Sequence, residues 1–376
     1  MSDSPLPLGP EDGGGSAPSR HDALVANRRS RSRTRRVLIG LAVLLGLLGV
    51  GAVVAWQAVN AQIRSSIEWL EDPFEALPTR PPVVTPTPPS DGSEVVGPPV
   101  NILFLGSDSR ISAGDPTQWE AGAQRTDAIM LLHIPANREE IYVMSIPRDS
   151  WVPIPGHGDA KINAAFSYGG PTLMIQTVEQ LTGVHIDHFA VVDFQSFAKL
   201  TDMFGGVEIT IPETTYDRRR HETIPAGTYQ MNGEEALDYV RQRYGLPGGD
   251  FDRVERHQNW IRAVAVKAMD QGALDNPAEI TRILLAVSEF VSTDEAFTID
   301  AQRDLAYSLR GIEREQDLNL FTAPVAGTGW SPDGRQSIVR LDNERLNPLV
   351  AAIADDSIED FLNNNPDYQT LGETVN

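Results

Sequence analysis

Three short stretches set an arginine within two residues of an aspartate. "LGSDSR" holds Asp108 and Arg110, "QRTDAIM" holds Arg125 and Asp127, and "SIPRDSW" holds Arg148 and Asp149. A fourth, "DAKINAAF", adds Lys161 and Asn163. A fifth, "ALDYVRQRYGLPGGDFDRVERHQ" (Ala236 to Gln258), brings four arginines, Arg241, Arg243, Arg253 and Arg256. Taken singly, each has an ordinary explanation. An Asp after a strand is commonly a turn former or helix cap, and neighbouring Arg and Asp commonly form a weak surface ion pair. Together they are the mixed-charge set that suits a divalent metal plus a polyphosphate. Mg²⁺ takes one or two carboxylates and shares phosphate oxygens for the rest. Guanidinium forks bind phosphate in bidentate fashion, each charged hydrogen bond contributing roughly 1.5–3 kcal/mol.

The fifth stretch has its own geometry. If "VRQR" is extended, Arg241 and Arg243 point to one face, because side chains alternate along a strand. Arg253 and Arg256 are three apart on a helix start and share a face there. "LPGGD" between the pairs permits a sharp reversal that brings both to one pocket. The helix start at Asp252 adds partial positive charge, which favours an anion. A solvated helix face with Glu255 as partner accounts for Arg256 but not for Arg241 and Arg243. His257 lies inside this stretch, whereas the other histidines are scattered. The chain has no G-x-S-x-G elbow, no phosphate-binding G-x-x-x-x-G-K-[ST] loop and no H-E-x-x-H pair.

Charged residues at strand ends of an α/β sheet line the crevice where ligands bind, so the elements around these stretches matter. "VNILFLG", "DAIMLLHI" and "EIYVMSI" read as buried strands, the last two joined by the turn "PANRE". "GPTLMIQTVEQLTG" reads as a helix with Pro171 in its first turn and Gly183 as its C-cap. "DHFAVVDF" and "VEITIP" are further strands, with a helix "QSFAKLTDMFGG" between them. "NGEEALDYV" is a helix capped by Asn232, with Glu235 at the capping-box spacing. "DRVERHQNWIRAVAVKAMD", "NPAEITRILLAVSEFV" and "NERLNPLVAAIA" are helices, and "LNLFTAPV" and "QSIVRL" late strands. Interleaved strands and helices predict an α/β three-layer sandwich with a central mixed sheet flanked by helices. The early hairpin argues against an all-parallel sheet.

The 376-residue chain has no cysteine, which excludes disulfides and thiolate chemistry. Its formal net charge is −21. An acidic body argues against nucleic acid as a partner, so its phosphate-binding arginines must sit in a local pocket. The basic residues gather instead at "RRSRSRTRR" (Arg28 to Arg36), just before an uncharged apolar run from Val37 to Trp56. That run matches the roughly 30 Å of a bilayer core as a helix. Its length, and the lack of a small-residue cleavage site after it, favour an uncleaved anchor over a signal peptide. The positive-inside rule then predicts a cytoplasmic N-terminus and an outer domain. The expected organisation is a disordered basic tail over 1–36, a transmembrane helix over 37–58, a juxtamembrane helix and Pro-rich spacer over 59–99, the globular domain over 100–365 and a tail over 366–376.

With these stretches in hand, the chain resembles the LytR-CpsA-Psr family of cell-envelope proteins, of the actinobacterial type. The resemblance rests on "NILFLGSDSR", "RTDAIMLLHI", "SIPRDSWVPIPG", "KINAAFSYGG", "GTYQMNGEEALDYVRQR" and "GDFDRVERHQ", in that order. It is strong over about Val100 to Lys267 and continues more weakly to Leu341. It implies an enzyme that moves a phosphoglycan from a polyprenyl diphosphate carrier to peptidoglycan and leaves a phosphodiester link. By the family pattern Asp108 and Asp127 bind Mg²⁺, with Mn²⁺ as the other candidate. Arg125, Arg148, Lys161, Arg241, Arg243 and Arg253 hold the diphosphate. Asn163 and His257 line the same pocket, His257 standing where the pattern usually has Gln. The base for the acceptor hydroxyl is Asp127 or Asp149, and Arg148 completes the catalytic set. A segment over 109–124 separates Asp108 from Arg125 and is expected to form a lid or lobe. Helices around Leu173–Leu181 and Phe197–Phe204 are expected to line a groove for the lipid tail. The glycan is arabinogalactan, teichoic acid or capsule. Two rivals use the same pocket: a pyrophosphatase with water as acceptor, and a regulator that binds the lipid without chemistry.

Overall fold

The computed structural model describes residues 69–70, 72–84, 95–107, 126–217, 221–242, 245–246, 248–288, 291–312, 314–368 and 371. The chain divides into two units, Met1–Arg64 and Ser65–Asn376, and every described residue belongs to the second. The expected membrane helix over 37–58 therefore lies outside the described residues, as do the basic tail, the segment over 109–124, and Asp108, Arg125 and Arg243. Among the described residues no helix is long and apolar enough to cross a membrane.

The sheet is built from apolar runs that need cover on both faces. β1 (Trp69–Leu70), β2 (Val100–Ser107), β3 (Thr126–Ile134) and β4 (Ile141–Ser145) come first. A short hairpin, β5 (Trp151–Ile154) and β6 (Gly158–Lys161), leads into helix α1 (Asn163–Thr182). β7 (His188–Asp193), α2 (Phe194–Met203) and β8 (Val207–Ile211) follow, then β9 (Thr215–Asp217), β10 (Glu222–Ile224) and β11 (Gly227–Met231). Helices α3 (Gly233–Arg241), α4 (Asp250–Asp270) and α5 (Pro277–Val287) precede β12 (Val291–Asp294) and α6 (Ile299–Ser308). The chain continues through β13 (Leu318–Thr322), β14 (Val325–Trp330), β15 (Ser337–Leu341), α7 (Asn343–Ala354) and α8 (Ile358–Asn364). The central sheet has the order β1-β12-β7-β2-β3-β4-β13. It is mixed, because β2–β3 and β3–β4 pair antiparallel while β2–β7 and β4–β13 pair parallel.

Helices cover both faces, as the mixed α/β reading expects. On one face Leu103, Leu105, Ile129, Leu131, Met144, Phe189 and Phe321 pack against Met174, Ile175 and Val178 of α1 and Leu346, Leu349 and Ile353 of α7. On the other, Phe104, Met130, Val143 and Leu320 meet Ile261 of α4. A third cluster joins the β8–β11 hairpin to α3 and α4 through Val207, Ile209, Tyr239, Val240 and Trp260. Leu173 and Val178 are core residues against the sheet rather than the lining of a groove. Phe204 is likewise core, and Phe197 stacks on Trp260 at 3.6 Å between centroids.

Several local expectations hold in atomic detail. Asn232 caps α3 in a complete capping box with Glu235, and Gly183 closes α1 in the left-handed conformation. Others are corrected. α1 begins at Asn163, eight residues before Pro171, because the Gly169-Gly170 kink joins a first segment to the expected helix. Residues 69–84 do not act as a spacer. Trp69–Leu70 pairs with Val291–Asp294 as an edge strand, and Phe74 and Leu77 pack on the core. Arg80 donates to the buried carboxylate of Glu179 through Nε at 3.1 Å and Nη2 at 2.7 Å. The tail is also shorter than 366–376. Tyr368 packs edge-on against Phe361, and Leu371 N donates to Leu320 O at 2.6 Å.

Candidate functional site

Because β3 and β4 are antiparallel, the start of β3 and the end of β4 lie at the same end of the sheet, with Met130 opposite Ser145. Asp127, the second residue of β3, therefore meets Arg148, which follows β4, and Arg148 Nη1 donates to Asp127 Oδ1. The N-terminus of α4 arrives at the same place. Asp250 Oδ1 accepts from Arg148 Nη2 at 3.2 Å and pairs with Arg253 Nη2 at 3.0 Å. Arg253 Nη1 in turn lies 3.6 Å from Asp127 Oδ1. The result is a closed square of two guanidiniums and two carboxylates, each arginine shared between both aspartates. Burial works against the Arg148 charge, but Asp250, Asp127 and Asp149 outweigh it and hold its pKa above the ordinary value.

The β5–β6 hairpin folds the next part of the site into place. Ile162 N donates to Ser150 O at 2.8 Å and Asn163 N to Arg148 O at 3.3 Å. Lys161, the last residue of β6, reaches Asp149 with Nζ 2.9 Å from Oδ1. β15 supports the same loop from the other side, with Val339 N donating to Asp149 O at 2.9 Å. Gln258 ties α4 to the strand ends, its Nε2 donating to Ser145 Oγ and Phe321 O, both at 2.8 Å.

The arginine-rich stretch is arranged differently from its expected pairing. Arg241 is the last helical residue of α3 and is exposed, so the alternation expected of an extended "VRQR" does not apply to it; the chain becomes extended at Gln242. Arg256 is fully buried. It donates to Tyr239 O and Gln242 Oε1 and lies over the Tyr239 ring at 4.5 Å, joining α4 to the end of α3. His257 is buried too, with Nε2 3.2 Å from Val240 O. A carbonyl can only accept, so Nε2 carries the proton, and the one N–H of the neutral ring is spent within the protein. Burial first, then the Arg253 charge, push the imidazole down to about 4, so the ring is neutral at physiological pH.

The structure thus brings together Asp127, Arg148, Asp149, Lys161, Asn163 and Arg253. Asp250 and Gln258 are site residues that the sequence reading missed. The i,i+3 spacing of Asp250 and Arg253 on a helix start was the available signal for the former; Gln258 offers none. Among the described residues no group of three His, Asp or Glu side chains could hold a metal ion unaided.

A mixed sheet with helices on both faces and an arginine–carboxylate square at one end defines the class: an α/β domain with a charge-paired site built from a strand hairpin and a helix start. The chain belongs to the LytR_cpsA_psr family, which it matches over residues 85–346. It is 42% identical over 200 residues to the probable cell wall biosynthesis protein LcpB of Corynebacterium glutamicum, covering 52% of this chain and 47% of the relative. It is 30% identical to the cell wall biosynthesis protein LcpA of the same species, covering 67% of this chain and 55% of that one. The match spans about half the length of these two relatives. It is also 30% identical to the polyisoprenyl-teichoic acid–peptidoglycan teichoic acid transferase TagU of Enterococcus faecalis, over 66% of this chain and 76% of the relative. Among solved structures it resembles Bacillus subtilis TagV, with a TM-score of 0.56, 25% identity and coverage of 69% of this chain and 97% of that one. The LytR-Csp2A-Psr enzyme of Actinomyces oris shares the fold at a TM-score of 0.53 and 22% identity, covering 74% and 96% of the two chains.

Proposed function

We propose that this protein transfers an anionic glycopolymer from a polyprenyl diphosphate carrier to peptidoglycan, forming a phosphodiester bond. The observation that carries the reading is the sharing of Arg148 and Arg253 between Asp127 and Asp250. Two preorganised guanidinium forks at one sheet end suit a diphosphate, and phosphoryl transfer depends mainly on positioning and electrostatics. The kinship to a teichoic acid transferase and to cell wall biosynthesis proteins supports the same chemistry. Arg148, Arg253 and Lys161 bind the diphosphate from the strand ends and the start of α4, and Arg125, Arg241 and Arg243 are the further arginines we assign to it.

In the reaction the acceptor sugar hydroxyl attacks the phosphorus that bears the glycan. The bond from that phosphorus to the bridging oxygen breaks, and polyprenyl phosphate leaves. The hydroxyl proton passes to a carboxylate. Asp127 Oδ1 is engaged by two guanidiniums, whereas Asp149 pairs with Lys161, so we assign the base role to Asp149. A divalent cation, Mg²⁺ or Mn²⁺, fits the hard oxygen donors Asp108 and Asp127, provided diphosphate oxygens complete its shell. When bound it supplies charge neutralisation at the phosphates. We place the domain outside the membrane, anchored through the apolar run over 37–58, where the lipid carrier is met; the shared anchorage raises the encounter concentration.

The test is Arg148→Lys, which keeps the charge and loses the fork. Glycan transfer by the purified variant should fall about 100-fold, the loss of roughly 3 kcal/mol from paired charged hydrogen bonds. Parental transfer by a folded Arg148→Lys protein overturns the assignment. Rapid phosphate release from the lipid diphosphate without peptidoglycan would instead identify a pyrophosphatase.

A further inference from the structure

We propose that one face of the β14–β15 hairpin is a saccharide platform that seats the acceptor glycan strand, with Trp330 as its stacking surface. The proposal rests on the transfer reading above and adds to it where the acceptor lies.

Trp330 is the most exposed aromatic among the described large hydrophobic residues, at 63%. An exposed indole at the end of an ordered strand offers a flat apolar surface with one N–H donor. Trp330 stands opposite Ser337, and Thr328 opposite Val339. Directly paired residues share a face, as do residues two apart. Trp330, Thr328, Ser337 and Val339 therefore lie on one face, with Thr328 and Ser337 exposed beside the ring. An aromatic plane flanked by two hydroxyls, with no charged side chain on that face of the paired strands, suits a sugar. The apolar C–H face of the pyranose stacks on the indole, and its hydroxyls exchange hydrogen bonds with Ser and Thr.

The reverse face carries a guanidinium. Gly329 leaves room there for the Arg340 guanidinium, whose Nη2 would lie only 3.0 Å from a Cβ added at Gly329. The edge of β15 adjoins the loop of the site. Val339 bridges to Ser150 and its amide donates to Asp149 O at 2.9 Å. Two residues of strand and two interstrand steps separate Trp330 from Ser150, a path of about 16 Å. A glycan seated on Trp330 thus presents its neighbouring units to Asp149 and Arg148, where the acceptor hydroxyl is needed.

The experiment measures binding of the full-length protein, in detergent, to insoluble peptidoglycan sacculi by cosedimentation, together with steady-state transfer. Trp330→Ala should weaken sacculus binding about tenfold and raise the acceptor KM similarly, with kcat and the KM for the lipid carrier unchanged. Trp330→Phe should restore most of the binding, because a ring is kept. Soluble saccharide fragments of the sacculus should compete with the parent protein and not with Trp330→Ala. Parental sacculus binding by Trp330→Ala, or no binding by the parent itself, overturns the platform. A parent that binds sacculi through Trp330 yet transfers nothing overturns the transfer reading and leaves the platform standing.

Discussion

Replacing Asp250 by Asn tests whether the carboxylates in the square compete with the incoming diphosphate. Asp250 Oδ1 accepts from Arg148 Nη2 at 3.2 Å and pairs with Arg253 Nη2 at 3.0 Å. Asp250 is about a quarter exposed (27%), whereas the two guanidiniums are nearly buried. Two charged hydrogen bonds, discounted for that exposure, hold the forks with roughly 2–3 kcal/mol. A diphosphate that takes the same forks must first release them. The Asn amide oxygen still accepts but carries no charge, so about half of that hold is lost, which corresponds to about a tenfold gain in diphosphate affinity. The gain should appear in chelator, where nothing else neutralises the parent carboxylate, and shrink in excess Mg²⁺. Calorimetric titration of parent and variant with a short-chain prenyl diphosphate, with and without Mg²⁺, reads both effects, and thermal melts confirm folding. If Asp250→Asn binds no more tightly than the parent in chelator, the carboxylate is not a competitor and the reasoning fails.

Two further outcomes follow from buried charge. The His257 imidazole is held near 4 by burial and by Arg253. As pH falls, the unfolded chain takes up this proton first, near its ordinary value of about 6.5, so this term is fully favourable above 6.5 and is lost down to about 4, by roughly 3 kcal/mol. The gap in unfolding free energy between the parent and His257→Gln should therefore move by about 2–3 kcal/mol between pH 7 and pH 4.5 in denaturant melts, against the parent; a constant gap refutes it. Arg80→Ala leaves the Glu179 carboxylate, 3% exposed, without its guanidinium. It should cost roughly 2–4 kcal/mol and open residues 72–84 to protease, and an unchanged melt would show that this strap contributes little.

Much of the sheet is legible in the sequence because β2, β3 and β4 are apolar runs bounded by turns, and the caps at Asn232 and Gly183 are local devices with local signatures. What escapes is tertiary. Trp69–Leu70 is too short to carry a strand pattern, and only Val291–Asp294, more than 200 residues away, makes it one. Asp127, Arg148, Asp149 and Lys161 stand out in the sequence because each flanks a recognisable strand or a motif. Asp250 is one of two aspartates just after a Gly-Gly turn, and nothing local shows that a hairpin 100 residues earlier waits for it. The roles of Arg256 and His257 invert in the same way. Their spacing suggests a ligand face, but the backbone carbonyls of Tyr239 and Val240 claim their donors once α3 docks.

The square also divides along the chain in a telling way. Asp127 and Arg148 lie on one antiparallel hairpin, while Asp250 and Arg253 lie on one helical turn. Each half carries no net charge before the two meet. At the square, bringing α4 onto the sheet therefore encloses no uncompensated ion, which is the costly event in burying charge. The hairpin and the helix can form independently, each from contacts close in sequence, and join late without an electrostatic barrier. A substitution that unbalances one half, such as loss of Asp250, should then slow the docking step as well as weaken its product, so a polar site of this kind leaves its mark on the rate of assembly.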